Sequence, residues 1–137
     1  VGKEVKIFEE KDHTSKCTEE LIDNWNKLKE ICSDLDGVEL VPKRYYMSLM
    51  IGNKNVVVFI FRKEKIQIEL NRGNVNPDGK KSRNYFTLDD PKEISQKSSW
   101  EWKSGTKGSI YKIPFNKNSD IDYMMFLIKQ KYKNLSD

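Results

Sequence analysis

The stretch "YYMSLMIGNKNVVVFIFRKEKIQIELN", residues 45–71, decides the fold because it has the pattern of three consecutive strands. In residues 45–51 every second side chain is apolar or aromatic, which puts these side chains on one face of a strand. Residues 52–55 are typical of a tight hairpin turn. Residues 56–61 are apolar throughout, as in a central strand covered on both faces, and residues 66–70 alternate again. The stretch predicts an antiparallel β-meander.

Amphipathic helices are predicted on both sides of the meander. From Thr14 or Ser15 to about Asp34, apolar residues recur three and four positions apart. Residues 121–135 carry a second apolar stripe of this kind. The sequence therefore predicts an α+β fold, in which an antiparallel β-sheet, made of a meander and a hairpin, is packed by an N-terminal and a C-terminal helix.

Three shorter elements complete this prediction. Residues 3–8 alternate and predict a short strand, and the Asp-Pro pair that opens residues 90–97 predicts the start of a short helix. Residues 100–115 predict a hairpin in which Trp100 and Trp102 share one strand face. A pair of tryptophans on one face of a strand is more typical of a core than of a binding surface.

The domain organisation follows from length and from the first residues. A chain of 137 residues has single-domain length, and such a domain buries about 68% of its unfolded surface without metal or disulfide staples. The chain begins at Val1 rather than Met, and residues 1–13 are rich in charge. We expect residues 1–13 to be a lead-in from an upstream domain and residues 14–137 to form a single α+β domain.

The two cysteines and the length of the apolar runs predict the compartment and the contact with membranes. Cys17 and Cys32 are placed in one predicted helix, separated by a rise of about 22 Å that excludes a disulfide between them. Both are expected to be buried thiols on one helix face, as in a reduced, cytoplasmic protein. No apolar run approaches the length of about 20 residues that a membrane span needs, so no membrane partner is expected.

The residue types that carry catalysis are sparse. His13 is the only histidine and lies in a polar stretch, where a solvated loop residue is the simplest interpretation. Glu101 and Lys103 match the E-x-K pattern of restriction-type nucleases, but the pattern recurs by chance in a chain rich in Lys and Glu. No phosphate-binding glycine loop is present. No catalytic residue, no metal site and no cofactor is predicted.

A basic segment is the strongest candidate for binding. The stretch "NRGNVNPDGKKSRNYF", residues 71–86, has four basic side chains against one acid, and two more lysines flank the tryptophan hairpin. Basic residues interleaved with aromatics suit a phosphate backbone and stacked bases. A solvated connection between strands remains the alternative, since 21 of the 25 basic residues are Lys and lysine is found throughout the chain. The candidate nucleic-acid-binding residues are Arg72, Lys80, Lys81, Arg83, Lys103 and Lys107.

Three stretches together resemble a known family. They are residues 45–71, quoted above, "SSWEWKSGTKGSIYKIPF" at residues 98–115, and "SDIDYMMFLIKQKYKN" at residues 119–134. The chain is similar to a family of uncharacterised bacterial and archaeal domains. These form the C-terminal part of chains described as "predicted transport protein" and of chains assigned as restriction-type nucleases. The similarity covers residues 14–134, with Lys131 at a position where Ser is usual.

The resemblance implies a function by context rather than by residues. The family has no settled activity, so no functional residue is carried over, and nuclease chemistry would lie upstream of Val1. The leading hypothesis is a non-catalytic accessory domain of a larger, nuclease-linked protein that contacts nucleic acid. The alternative is a protein-interaction or dimerisation module, with the upstream nuclease domain or a second copy as its partner.

Overall fold

The computed structural model describes residues 8–82 and 85–136 and has the expected α+β fold. Most of the strand predicted at residues 3–8 lies outside the described residues. Two helices come first, α1 (Glu10–Thr14) and α2 (Glu19–Ser33), and α3 (Ile121–Ser136) comes last. The strands are β1 (Val38–Pro42), β2 (Met47–Ile51), β3 (Lys54–Phe61), β4 (Ile66–Val75), β5 (Gln96–Glu101) and β6 (Lys107–Phe115).

The strands form one six-stranded sheet in the order β1-β2-β3-β4-β6-β5, with every neighbouring pair antiparallel. Helices α2 and α3 pack on one face of this sheet. Trp25 of α2 meets Phe59 and Phe61 of β3 edge to face, with ring centroids 4.9 Å apart in both pairs. The largest fully buried side chains are Trp25, Phe59, Phe61, Phe115, Leu21, Leu28, Met47, Leu49, Ile66, Ile68, Leu70 and Ile113.

The helix that the sequence predicts from Thr14 or Ser15 begins later, at Glu19, and the separate short helix α1 precedes it. Thr18 is the N-cap of α2, and its hydroxyl accepts a hydrogen bond from the Leu21 amide at 3.3 Å. Cys17 therefore lies in the turn before α2, half-buried, where its thiol donates to the Arg62 carbonyl at 3.1 Å. The placement of both cysteines on one helix face is wrong. Cys32 is buried as expected, and both thiols are free.

Two further predictions are corrected by strand pairing. The helix expected at residues 90–97 is absent, because Asp90 folds its carboxylate back onto the Ser95 amide at 2.7 Å and β5 begins directly afterwards. Strand β4 runs to Val75, beyond the predicted residues 66–70, because its polar end pairs with β6. Strand β1 has no counterpart in the prediction and is added at the edge by pairing with β2.

The sheet is split along part of its length. Strands β3 and β4 pair only from Val58–Glu69 to Phe61–Ile66, so residues 54–57 have β2 as their neighbouring strand. Residues 70–75 pair with β6 and, on the other side, with the segment that follows β4, where Val75 bridges to Lys81. A β-bulge lies on each side of the split, with one extra residue in β3 and one in β4. Bulges bend a strand and increase its twist, which explains why these two strands diverge.

Candidate functional site

Two loops that are distant in sequence meet at the end of the sheet where β4 ends and β6 begins. The Thr106 hydroxyl donates to the Asn76 side-chain oxygen at 3.5 Å. Gly105 packs so closely on Pro77 that an added Cβ would lie 3.0 Å from its ring. Residues 76–81 and 102–107 thus form one surface, the basic end.

The basic end brings together four of the six predicted residues, Lys80, Lys81, Lys103 and Lys107. All four are exposed, and none forms an ion pair within the described residues. Asp78 turns its carboxylate back to the Lys80 amide at 2.9 Å. The fifth residue, Arg83, lies outside the described part of the chain. The basic end therefore has an excess of positive charge.

Arg72, the sixth predicted residue, does not lie in an exposed loop. It is the extra residue of the β4 bulge and is half-buried. Its guanidinium lies 5.3 Å from the Tyr85 ring centroid and 6.0 Å from that of Tyr111. Its carbonyl accepts the Phe86 amide at 2.7 Å. Arg72 holds the segment after the basic end against the sheet, and its buried Nε has no hydrogen-bond partner among the described residues.

The two hairpin tryptophans are at the surface, so the interpretation of this pair as core is wrong. Trp100 is 40% exposed and Trp102 is 44% exposed, and their rings pack edge to face with centroids 5.7 Å apart. The Trp100 indole covers Gly108 on the neighbouring strand, where an added Cβ would lie 2.6 Å from the ring. Because side chains alternate along β6, Lys107 points to the face opposite Trp100. Lys103 follows Trp102 directly in the turn.

A cleft of about 450 Å³ lies in the split between β3 and β4. Residues of both strands, of the segment after the basic end and of α3 line it together. Its polar side chains are Lys54, Asn55, Asn71, Ser82 and Lys131, with Gly73 and Leu135 between them. The cleft adjoins the basic end, since Ser82 follows Lys81.

Lys131 is the unusual residue of this cleft. Only 4% of it is exposed, and its ammonium group lies 5.1 Å from the Phe86 ring centroid. No described side chain accepts a hydrogen bond from it or pairs with it. Burial lowers the pKa of Lys131 to about 8. Strongly perturbed lysines are found more often in functional sites than on ordinary surfaces.

The acceptor groups around the cleft are already used. The Asn71 side-chain oxygen accepts the Gly73 amide at 3.1 Å, and the Ser82 hydroxyl oxygen accepts the Asn74 amide at 3.0 Å. The Asn55 side-chain oxygen accepts the hydroxyl of Ser48. Two carboxamide NH₂ groups, one hydroxyl hydrogen and two ammonium groups remain without a partner within the described residues. The free side-chain groups of the cleft are therefore donors.

The opposite face of the split is more apolar. A second hollow of about 260 Å³ is lined by Val56, Val58, Ile110 and the Trp100 ring, with Glu69 at its edge. Asn55 and Asn71 border both hollows. The two asparagines thus stand between a basic, donor-rich side and an aromatic, apolar side.

Sequence reasoning missed the cleft, although one signal could have found it. Lys131 continues the apolar stripe of α3, which includes Met124, Leu127, Ile128 and Leu135. A lysine at a stripe position is expected to be buried. The divergence of β3 and β4 has no such signal, because it depends on how distant strands pair.

The arrangement offers little for metal-dependent or nucleophilic catalysis. Within residues 8–82 and 85–136, no group of three or more His, Cys, Asp and Glu side chains could hold a metal ion. His13 is buried rather than solvated, because its Nε2 meets the Lys43 carbonyl at 2.7 Å and its ring packs on Phe61. Asp90 is engaged by the Tyr123 hydroxyl. Glu101 lies on the exposed edge strand β5 opposite Lys107.

Comparison with known proteins gives one relative. An uncharacterised protein of Haemophilus influenzae is 24% identical over 135 residues, which cover 96% of this chain. The same alignment covers 39% of the relative, so the chain spans about two fifths of the relative's length. No family model matches the chain, and no solved structure matches it. Among the described helices, none has the length and apolar content needed to cross a bilayer.

Proposed function

We propose that this chain is an accessory domain of a larger protein that contacts nucleic acid through its basic end and performs no catalysis itself. One observation carries the proposal. Two loops about 25 residues apart in sequence fold against each other and present four exposed lysines without ion-pair partners among the described residues. Lysines placed in this way neutralise phosphates and release counterions, which is the main source of sequence-independent affinity.

The tryptophans favour single-stranded nucleic acid. Exposed aromatic rings beside a positively charged surface are the usual platform for unpaired bases. Trp102 and Lys103 are adjacent at the hairpin tip, so a base and its phosphate could be held together there. Lys107 lies on the other face of the hairpin and would contact the backbone further along the strand.

We also propose that this domain belongs to a longer protein. The relative from Haemophilus influenzae is about two and a half times as long as the matched region, which supports a domain within a longer chain. The nuclease link and an upstream nuclease domain as partner rest on the family resemblance alone. Two free thiols, one of them buried against Met125, are compatible with a reducing compartment such as the cytoplasm.

Binding of a labelled single-stranded oligonucleotide at two salt concentrations tests the proposal. Four phosphate contacts predict a logarithmic salt slope of about −3, or affinity roughly fiftyfold weaker at about 200 mM than at about 50 mM salt. Lys103→Glu combined with Lys107→Glu should reduce the slope by about 1.5. The control pair is Lys63→Glu with Lys65→Glu, which reverses two exposed lysines at the other end of β4. Equal weakening by both pairs, or no binding at low salt, would contradict the basic end as the contact surface.

A dimerisation module is the second candidate, and one observation favours it. Strand β5 pairs with β6 on one side only and forms an edge of the sheet, where a second copy could add its own strand. Light scattering that reports a dimer, together with loss of that dimer in Ser99→Pro, would support this function. A monomer at micromolar concentration would exclude it.

A further inference from the structure

The cleft between β3 and β4 has the properties of a ligand site distinct from the basic end. We propose that it binds a phosphate group, either of a small molecule or of a nucleic-acid terminus, with the Lys131 ammonium as the central cation. The inference does not depend on nucleic-acid binding by the four lysines of the basic end. It stands on the donors that line the cleft, on the burial of Lys131 and on the size of the cavity.

The hydrogen-bond donors of the cleft favour a negatively charged ligand. Asn71 and Ser82 use their oxygens to hold the backbone of β4, and Asn55 uses its oxygen for Ser48. These three side chains still have N–H and O–H groups that can donate hydrogen bonds. Lys54 and Lys131 add two ammonium groups, and no carboxylate of the described residues lines the cavity. A metal cation would meet two ammonium groups and no carboxylate here, whereas an acceptor-rich anion would match these donors.

The burial of Lys131 gives a second reason. The Lys131 side chain is almost fully buried while its ammonium group reaches only the cleft, and a partly desolvated ammonium group without an acceptor is costly. Here the chain supplies one aromatic face, from Phe86, and leaves the rest of the ammonium group facing the cavity. An anion would supply the missing partner.

The number of donors and the volume favour phosphate over a lone carboxylate. A phosphate monoester has three terminal oxygens and up to two negative charges, which matches donors arriving from two strands, a loop and a helix. Lysine is a common phosphate ligand in proteins. The cavity of about 450 Å³ is within the range of small-molecule sites and exceeds the volume of one phosphate, which leaves space for the group that carries it.

Thermal unfolding in a phosphate series provides the first test. Inorganic phosphate and a nucleoside 5′-monophosphate are each compared with chloride at matched ionic strength near pH 7. We expect both to raise the melting temperature of the wild-type protein with saturating concentration dependence. No rise with either probe would overturn the proposal.

Two variants assign the effect to the cleft. Lys131→Met keeps an unbranched side chain of nearly the same length, removes the charge and should weaken binding of the monophosphate by about tenfold or more. Asn71→Asp keeps the oxygen that accepts the Gly73 amide and replaces a donor with a negative charge, so it should abolish binding. Lys129→Met, an exposed position two residues earlier on α3, is the matched control and should bind as the wild type does. Unchanged binding in Lys131→Met would contradict the site.

The source of the phosphate is resolved with two oligonucleotides of one sequence, one with a 5′-phosphate and one with a 5′-hydroxyl. Tighter binding of the phosphorylated strand, lost in Lys131→Met, would identify a nucleic-acid terminus as ligand. Equal binding of both strands together with saturable monophosphate binding would identify a small molecule. The 5′-hydroxyl strand also reports on the basic end alone, so failure of the proposed function and failure of this inference are distinguishable.

Discussion

Lys131 shows what a single residue can reveal about a site. The chain buries most of this side chain, places its ammonium group near Phe86 and provides no acid for it among the described residues, so folding without a ligand carries part of the cost of that charge. A methionine, which is unbranched and one atom shorter, would suit the apolar stripe of α3. The presence of lysine at this position thus works against stability and in favour of a bound anion.

This cost predicts a specific pH dependence of stability. Burial lowers the pKa of Lys131 to about 8 from 10.5, so below pH 8 the group is charged in both states and the folded state bears the full penalty. Between these values the folded protein loses the proton first, and its stability rises with pH. We expect Lys131→Met to be more stable than wild type at pH 7 by about 1–2 kcal/mol, less than the full shift implies because the amine faces an open cleft, with the difference shrinking towards pH 10.5.

Urea denaturation of both proteins at several pH values between 7 and 10.5 measures this difference. Lys129→Met should follow the wild type across the whole range, because that side chain is exposed in the folded protein. A stability difference between Lys131→Met and wild type that stays constant with pH would show that the buried group titrates normally.

At the scale of elements, the β4 bulge shapes the cleft. Gly73 has a φ of +121°, and an added Cβ would lie 2.8 Å from the Ser82 hydroxyl oxygen and 2.9 Å from the Tyr85 ring. Any side chain here would press on a wall of the cavity and strain the backbone. The bulge therefore needs glycine both for its conformation and for the segment that packs on it.

Gly73→Ala should destabilise the protein by about 1–3 kcal/mol, since it combines backbone strain with overpacking. Gly79→Ala is the matched control, because Gly79 also has a positive φ, +85°, but an added Cβ meets nothing within 4 Å. The difference between the denaturation midpoints of the two variants measures the steric contribution to the loss of stability. Equal midpoints would mean that Ser82 and Tyr85 move aside freely.

The elements that the sequence predicts well are those with local periodicity. Strands β2, β3 and the start of β4, and helix α3, follow from patterns within a single segment. Strand β1 was missed, and the first residues of β5 were assigned to a helix, because short segments become strands only when a neighbour pairs with them. The start of α2 at Glu19 depends on Thr18, whose capping begins the helix later than the periodicity of the apolar stripe suggests. The lysines of the basic end were foreseen as a group, whereas the cleft depends on pairing that no segment encodes alone.

At the scale of the whole molecule, the cleft and the basic end lie at the same end of the sheet. The β2–β3 turn, the basic end and the C-terminal part of α3 lie where β3 begins and β4 ends, and the cleft opens among them. The two largest candidate surfaces are thus adjacent, while the opposite end has paired charges such as Lys117 with Glu20 at 2.7 Å. A ligand of either proposed site would therefore approach the same end of the molecule.

The short pairing between β3 and β4 predicts how fast backbone amides of the sheet exchange with solvent. Backbone amides of residues 54–57 that point into the split have no partner strand, although they lie in the middle of the sheet. We expect them to exchange with deuterium faster than the amides that pair β4 with β6, so that protection is lowest at the centre of the sheet. Saturating phosphate should slow the exchange of these amides. Uniform protection across all six strands would mean that the sheet does not open along the split.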